Sequence, residues 1–201
     1  LISIAILCGG KSKRFGGYKI FHKINGKTIL ELVYEKFKAK TDDVFLQLSS
    51  RQNLRSKLSE LESNIQYDLT ENVGPLGGIY SALNFAQYEK VFIIAGDLPF
   101  IDIRILDELL LHYNNTIIIP RWIDRYLEPL CAIYSKEVLP VIQDQIERND
   151  LKISNLYRIL EENYCDRFSI KYLNINRLMA KEKLKPDCFR NINTIEDLKC
   201  H

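Results

Sequence analysis

An apolar run, Ile2 to Leu7, passes directly into Cys8-Gly9-Gly10-Lys11-Ser12-Lys13-Arg14-Phe15-Gly16-Gly17-Tyr18-Lys19. The run reads as a parallel strand buried on both faces, and such a strand needs helical layers above and below its sheet. The stretch that follows holds four glycines and four cations within a dozen residues. Glycines let the backbone approach a bulky anion and turn N–H groups toward it, while Lys and Arg neutralise its charge. In composition and position this is a phosphate-binding loop.

The same alternation continues along the chain. Asn25-Gly26 between Phe21–Ile24 and Lys27–Thr28 is a two-residue hairpin signal. Ile29 to Lys40 carries Ile29, Leu32, Val33 and Phe37 at helical spacing. Further strands are expected at Val44–Leu48, Ile65–Asp68, Val91–Ala95, Thr116–Ile119, Leu130–Tyr134, Phe168–Leu173 and Phe189–Ile192. Helices are expected at Arg51–Glu62, Ile79–Ala86, Ile103–Tyr113, Glu137–Glu147, Ile153–Glu162 and Ile195–Lys199. Strands alternating with helices imply right-handed crossovers, so the expected fold is a single three-layer α/β domain over residues 1–201, Rossmann-like, with a mostly parallel sheet. In such sheets ligands bind outside the carboxyl ends of the strands, where the glycine loop falls.

With 201 residues the chain can bury a substantial core. A net charge of +2, with the cations concentrated in the glycine loop, argues against nucleic acid as a partner. No apolar run approaches the ~20 residues of a membrane span, and Leu1 to Cys8 is too short for a signal peptide. Five scattered cysteines show no C-x-x-C pair and no metal-ligand spacing with the three histidines, so free thiols in the cytoplasm are expected.

Two commoner phosphate motifs fail on spacing. A Walker A loop needs a glycine where Ala5 precedes Gly10-Lys11-Ser12, and Gly9-Gly10 followed by Gly16-Gly17 is not G-x-G-x-x-G. In the loop as it stands, Gly9 and Gly10 offer backbone donors, Arg14 can fork onto terminal phosphate oxygens, and Lys19 can reach the reacting phosphate. A second marker is Val91 to Phe100, where an apolar strand ends in Gly96-Asp97-Leu98-Pro99. Asp97 either caps the next helix or holds a divalent metal; Asp102 is the better-placed cap, which leaves Asp97 for the ligand. A third is Asp68 to Gly78, whose carboxylate and Gly74-Pro75 turn could form a wall for a flat base.

Together these motifs resemble the MobA-like nucleotidyltransferases, the molybdenum cofactor guanylyltransferase family. That family's L-A-G-G-x-x-x-R-M-G-x-D-K is matched by Leu7 to Lys19, with Cys8 in place of alanine and Tyr18 in place of aspartate. Its G-P-L-A-G is matched by Gly74-Pro75-Leu76-Gly77-Gly78, and its C-D-x-P-F by Gly96-Asp97-Leu98-Pro99-Phe100. E-P-L-x-A-x-Y appears from Glu128 to Tyr134, and N-x-N-T-x-E-D-L from Asn191 to Leu198. The resemblance implies the nucleotide-diphospho-sugar transferase type of fold. It also implies GMP transfer from GTP to the terminal phosphate of molybdopterin, with release of pyrophosphate.

By the same resemblance Leu7, Cys8 and Gly9 contact the base through their backbone, Gln47 matches a base-contacting asparagine, and Asp68 helps to select guanine. Lys19 binds phosphate, Asp97 ligates Mg²⁺, and Asn191 and Asn193 lie near the second substrate. Arg121 and Arg125, in the polar loop before Glu128, are candidates for holding the acidic pterin. Cofactor-inserting proteins and molybdoenzymes would be further partners, with no role for nucleic acid or membrane. Rival readings keep the fold and change the substrate: a molybdopterin cytidylyltransferase, or an enzyme acting on a sugar or cobinamide phosphate. A catalytically silent nucleotide-binding regulator is the rival from another class, and Lys19 with Asp97 argues against it.

Overall fold

Ser3–Leu7 forms strand β1 of the computed structural model, which describes residues 1–9, 18–49, 58, 61, 64–114 and 116–192. Its side chains alternate between two layers. Ile4 and Ile6 face one apolar cluster and Ala5 the opposite one, as the two-residue period of a strand requires. The other strands are β2 (Lys23–Ile24), β3 (Lys27–Thr28), β4 (Val44–Leu48), β5 (Asn64–Tyr67), β6 (Lys90–Ala95), β7 (Ile117–Arg121), β8 (Cys131–Ser135) and β9 (Ile170–Asn174). The helices are α1 (Ile29–Phe37), α2 (Pro75–Phe85), α3 (Arg104–His112), α4 (Leu139–Glu147), α5 (Ile153–Asn163) and α6 (Ile175–Glu182).

Among the described residues seven strands form one sheet in the order β5-β4-β1-β6-β8-β7-β9. It is mostly parallel; only β8 runs against its neighbours β6 and β7. Helices α1, α3 and α6 cover one face, through side chains such as Val33, Leu109 and Leu178. Helices α2, α4 and α5 cover the other, through Ile79, Ile142 and Leu160. Burying a side chain of this kind contributes about 1.5–3 kcal/mol, and β6 supplies four fully buried in succession, Val91 to Ile94. That double burial explains why β6 shows no polar alternation in sequence.

After β1 the chain builds β4 and β5 on one side and returns to β6 on the other. The carboxyl ends of β1 and β6 therefore flank the point where the strand order reverses, the usual ligand crevice of an open α/β sheet. Backbone bonds align those ends: Cys8 N–H donates to Gln47 O at 2.8 Å, Asp68 N–H to Leu48 O at 2.9 Å, and Gly96 N–H to Leu7 O at 2.9 Å.

Several boundaries differ from expectation. Phe21 lies in a 3-10 turn, Lys19–Phe21, ahead of the β2–β3 hairpin, whose Asn25 and Gly26 have the positive φ of a tight turn. Helix α2 starts at Pro75 rather than Ile79, because Gly74 (φ +69°) turns the chain and proline fits the first helical turn. A 3-10 turn, Lys136–Val138, replaces the start of the expected Glu137 helix, with Pro140 opening α4. Helix α6 was not expected, although Asn174 caps it by accepting from Arg177 N–H and Ile175, Leu178 and Met179 follow helical spacing.

Phe189–Ile192 is not a strand. Cys188 and Arg190 donate to Lys185 O and Asp187 O in successive turns, and Ile192 donates to Asp97 O. The expected helix at Ile195–Lys199, and Arg51–Glu62 apart from Leu58 and Leu61, lie outside the described residues.

Candidate functional site

A cavity of about 380 Å³ opens at the carboxyl edge of β5, β4, β1 and β6. Leu7, Gly9, Lys19, Gln47, Asp68 and Asp97 all line it. Leu7 ends β1, Gln47 is the last residue but one of β4, Gly9, Asp68 and Asp97 follow their strands, and Lys19 opens the 3-10 turn ahead of the hairpin.

Asp97 stands just past β6 and forms an ion pair with Lys19; both side chains are less than one-fifth exposed. Asp68 stands just past β5 and faces a neutral partner, for Gln47 Nε2 donates to its Oδ1 at 2.8 Å. Burial pushes the Asp68 carboxyl above its ordinary value, and the Gln47 hydrogen bond opposes that rise without cancelling it. Gln47 is itself buried, and among the described residues neither its Oε1 nor Thr70 Oγ1, on another lining residue, has a hydrogen-bond partner. A buried polar atom without a partner costs roughly 1–3 kcal/mol.

The wall opposite β1 is the loop from Asp68 to Gly74 and the first turn of α2. Leu69 N–H donates to Ser81 Oγ at 2.9 Å, and that hydroxyl donates to Gly77 O at 2.7 Å, which fastens the loop to the helix. A Cβ at Gly78 would stand 3.3 Å from Leu7 Cδ1, so glycine there lets the helix lie close against β1.

Other sequence candidates fall elsewhere. Cys8 is turned into the core: its Sγ–H points to Ile6 O at 3.4 Å, its N–H belongs to the sheet ladder, and burial drives the thiol pKa far up, helped by the Asp97 charge. Asn191 is exposed and lies beside the cavity, since the next residue, Ile192, donates its N–H to Asp97 O at 3.2 Å. Arg121 and Arg125 are exposed and do not line the cavity. The first lies over the Tyr172 ring at 4.5 Å, at the end of β7 and thus on the same sheet edge; the second sits in the loop that follows, at φ +70°. Gly10, Arg14 and Asn193 lie outside the described residues. Asp102 stands one residue ahead of the cap expected of it: the helix is capped at Ile103 without a side-chain bond, and Asp102 accepts from Arg104 N–H at 3.0 Å.

Ser49, Thr70, Asn72 and Leu130 also line the cavity and were not singled out in sequence. Ser49 had a readable signal, two residues beyond Gln47 at the same strand end. Leu130 had none of its own and is placed by its neighbours. Its carbonyl accepts from Ala95 N–H at 2.8 Å, and Tyr134 Oη, buried, donates to Pro129 O at 2.9 Å. The Glu128–Tyr134 segment therefore acts as a frame for this wall. Glu128 accepts from Trp122 Nε1 at 2.6 Å, and burial raises its carboxyl pKa.

Comparison with known proteins agrees with this geometry. Residues 4–166 match the model of the MobA-like NTP transferase domain. A protein of Thermococcus sibiricus named probable molybdenum cofactor guanylyltransferase is 33% identical over 190 residues, covering 90% of this chain and 95% of that one. A protein of the same name from Thermococcus gammatolerans is 33% identical over 198 residues, covering 96% of this chain and 95% of the relative. Among solved structures, molybdopterin-guanine dinucleotide biosynthesis protein A of Archaeoglobus fulgidus superposes with a TM-score of 0.78 at 26% identity, over 98% of this chain and 95% of that one.

Proposed function

This chain belongs to the MobA-like NTP transferase family, and we propose that it transfers GMP from GTP to the terminal phosphate of molybdopterin, forming the guanine dinucleotide cofactor and pyrophosphate. The observation that carries this reading is the shared cavity. One of its carboxylates, Asp97 at the switch point of the sheet, is paired with a lysine, and the other, Asp68 at the end of the edge strand β5, with a buried amide.

The reaction is an in-line displacement. A phosphate monoester oxygen of molybdopterin attacks the α-phosphorus of GTP, a new P–O–P link forms, and the bond to the β-phosphate breaks with its electron pair leaving on pyrophosphate. A phosphate dianion is a competent nucleophile near neutral pH, so the protein need not activate one of its own. Cys8, the thiol nearest the site, is buried and held protonated. What remains for the chain is positioning and charge stabilisation.

Lys19 holds triphosphate oxygens, and Arg14 and the Gly9-Gly10 amides are assigned the same task from their sequence positions. Leu7 and Gly9 present backbone to the base, and Asp68 with Gln47 reads its donor edge. Asn191, with Arg121 and Arg125 further along the same edge, is assigned to the second substrate, and Asn193 is given the same task from its sequence position.

Asp97 fits a Mg²⁺ ligand. Mg²⁺ is commonly held by one or two carboxylates together with substrate phosphates, and Asp97 is a carboxylate at a cavity sized for a nucleotide. Among the described residues no group of three acidic, histidine or cysteine side chains offers another site. When bound, the ion would supply charge neutralisation on the triphosphate. Among the described residues no helix is long and apolar enough to cross a membrane. The unpaired thiols of Cys8, Cys131, Cys165 and Cys188 suit the reducing cytoplasm.

The test is kcat/KM for GTP, CTP and ATP with molybdopterin, followed by pyrophosphate release. GTP should be preferred by about tenfold to a hundredfold, as expected where a site built for hydrogen-bond donors meets a base lacking them. Equal or better use of CTP would move the chain to the cytidylyl reading, and no turnover with any of the three would end the transferase reading.

A further inference from the structure

The Lys19–Asp97 pair sits on two turns far apart in sequence, and one side chain outside the cavity connects their supports. Lys36, half-buried on α1, brings its Nζ to 2.7 Å from Pro99 O and 2.7 Å from Ile101 O. Both carbonyls belong to the turn that follows Asp97. Backbone hydrogen bonds of the same turn run from Gly96 N–H to Leu7 O, from Ile101 N–H to Leu98 O, and from Ile192 N–H to Asp97 O. Pro99 has no N–H to give. Hydrogen bonds from an ammonium are roughly twice as strong as neutral ones, so each of these two holds the turn more firmly than a single backbone bond does.

Helix α1 is a firm base for that contact. Thr28 and Glu31 form a capping box at its start, and Leu30, Val33 and Phe37 are buried, with Phe37 against Phe92 of β6 at 5.5 Å between ring centroids. The same helix receives the Lys19 side of the pair. Ile29 N–H donates to His22 O at 2.9 Å, and His22 N–H to Lys19 O at 3.0 Å. Lys36 does not line the nucleotide cavity. It borders a second cavity of about 480 Å³ together with Phe100, Asp102, Lys185 and Asp187. Burial pushes its ammonium below the ordinary lysine range, against the opposing pull of Asp102 and Asp187.

We infer that Lys36 is a positioning residue for Asp97: through Pro99 O and Ile101 O it sets the carboxylate, relative to Lys19, where a nucleotide-bound divalent cation meets it. The inference rests on the reading of Asp97 as the metal-holding carboxylate. Lys36 itself touches neither substrate nor ion.

The test is Mn²⁺ affinity in the presence of GTP, read by water-proton relaxation on the wild type, Lys36→Met, Lys36→Arg and Asp97→Asn, with Tm for each. Met keeps the apolar stem and removes the donors; Arg keeps a charged fork that can serve both carbonyls. Lys36→Met should weaken Mn²⁺ binding at least about tenfold, the scale that loss of a group supporting a metal ligand costs in affinity. Lys36→Arg should recover most of that loss. If Lys36→Met does not fold, Lys36→Gln, which keeps a neutral amide NH2 on a shorter stem, is measured instead and should fall between wild type and Asp97→Asn. Mn²⁺ affinity equal to wild type in Lys36→Met or Lys36→Gln overturns the inference, as does Lys36→Arg binding no better than Lys36→Met. A wild type with no GTP-dependent Mn²⁺ site, or one that Asp97→Asn leaves intact, overturns the reading of Asp97 and this inference with it.

Discussion

Asp68 and Asp97 both stand one or two residues past a parallel strand and both line the same cavity, yet their surroundings have little in common. Asp97 follows β6, in the middle of the sheet, and faces the Lys19 ammonium. Asp68 follows β5, at the edge, and faces the Gln47 amide, with burial raising its pKa. The strand end brings a carboxylate to the site; its partner decides what the carboxylate is for. One set against a cation can exchange that partner for a metal ion, which leaves the lysine to the phosphate. One held by an amide is suited to accept hydrogen bonds from a neutral base.

The largest effect that would test this contrast is at Asp97. Asp97→Asn keeps the shape and removes the charge that faces Lys19, so turnover should fall at least about a hundredfold, the scale of losing a preorganised charge stabiliser. Tm should change little. Activity within a few-fold of wild type at saturating Mg²⁺ would mean the two carboxylates do not differ in the way proposed.

Asp68→Ala should act on choice rather than on rate. Guanine presents N1–H and an exocyclic amine that a carboxylate can accept together, and cytosine lacks that pair. The GTP-over-CTP ratio in kcat/KM should drop by about tenfold or more, with the Mg²⁺ dependence unchanged. If the mutant instead needs more Mg²⁺ and keeps its selectivity, the roles assigned to the two residues are reversed.

These two roles were unequally legible in the sequence. Asp97 and the Leu7–Gly9 segment announce themselves, because an apolar run that stops at a glycine or a carboxylate has few other uses. Asp68 was legible as a strand-end carboxylate, but its pairing with Gln47 joins residues 21 apart and depends on the β4–β5 register, which no local pattern encodes. The fold followed the same rule. Strands buried on both faces were read to within a residue or two, as at β4 and β6, whereas the Phe189–Ile192 run was misread as a strand. Its apolar side chains are buried because they pack under the site, with Phe189 edge-on to Trp122 at 5.6 Å, while its backbone bonds form turns. Lys36 gave no signal, since a lysine on a helix is ordinarily solvated and its two carbonyls lie more than sixty residues away.

A smaller effect separates the carboxylates by pH. Reading two donors requires Asp68 ionised, and burial raises its pKa from the ordinary value near 4. The GTP-over-CTP ratio should therefore fall as pH is lowered, beginning at a higher pH than an ordinary carboxylate would set, by a few-fold down to about pH 5. Taking the ratio removes titrations common to both nucleotides. Asp68→Ala should show a flat ratio over the same range; a ratio equally steep in the mutant would assign the titration to another group.

The smallest effect is on stability. A carboxyl whose pKa is higher in the folded state binds its proton more tightly there, so the folded state is disfavoured as pH rises from the unfolded value through the folded one. Above that window the penalty is complete. At neutral pH Asp68 thus carries a net cost that the Gln47 hydrogen bond only partly offsets. Asp68→Asn removes the charge and leaves an amide oxygen for Gln47 Nε2. It should raise Tm at pH 7 by about 1–3 °C, the shift that up to about 1 kcal/mol produces in a chain of this size, and the gain should shrink as pH falls and the wild-type carboxyl protonates. The same substitution at Asp97 takes away the Lys19 ion pair and should give no such gain. Thermal melts of both variants at pH 5 and pH 7 decide it. A lower Tm for Asp68→Asn at pH 7 would show that its carboxylate stabilises the fold, and the contrast between the two strand ends would then be one of position alone.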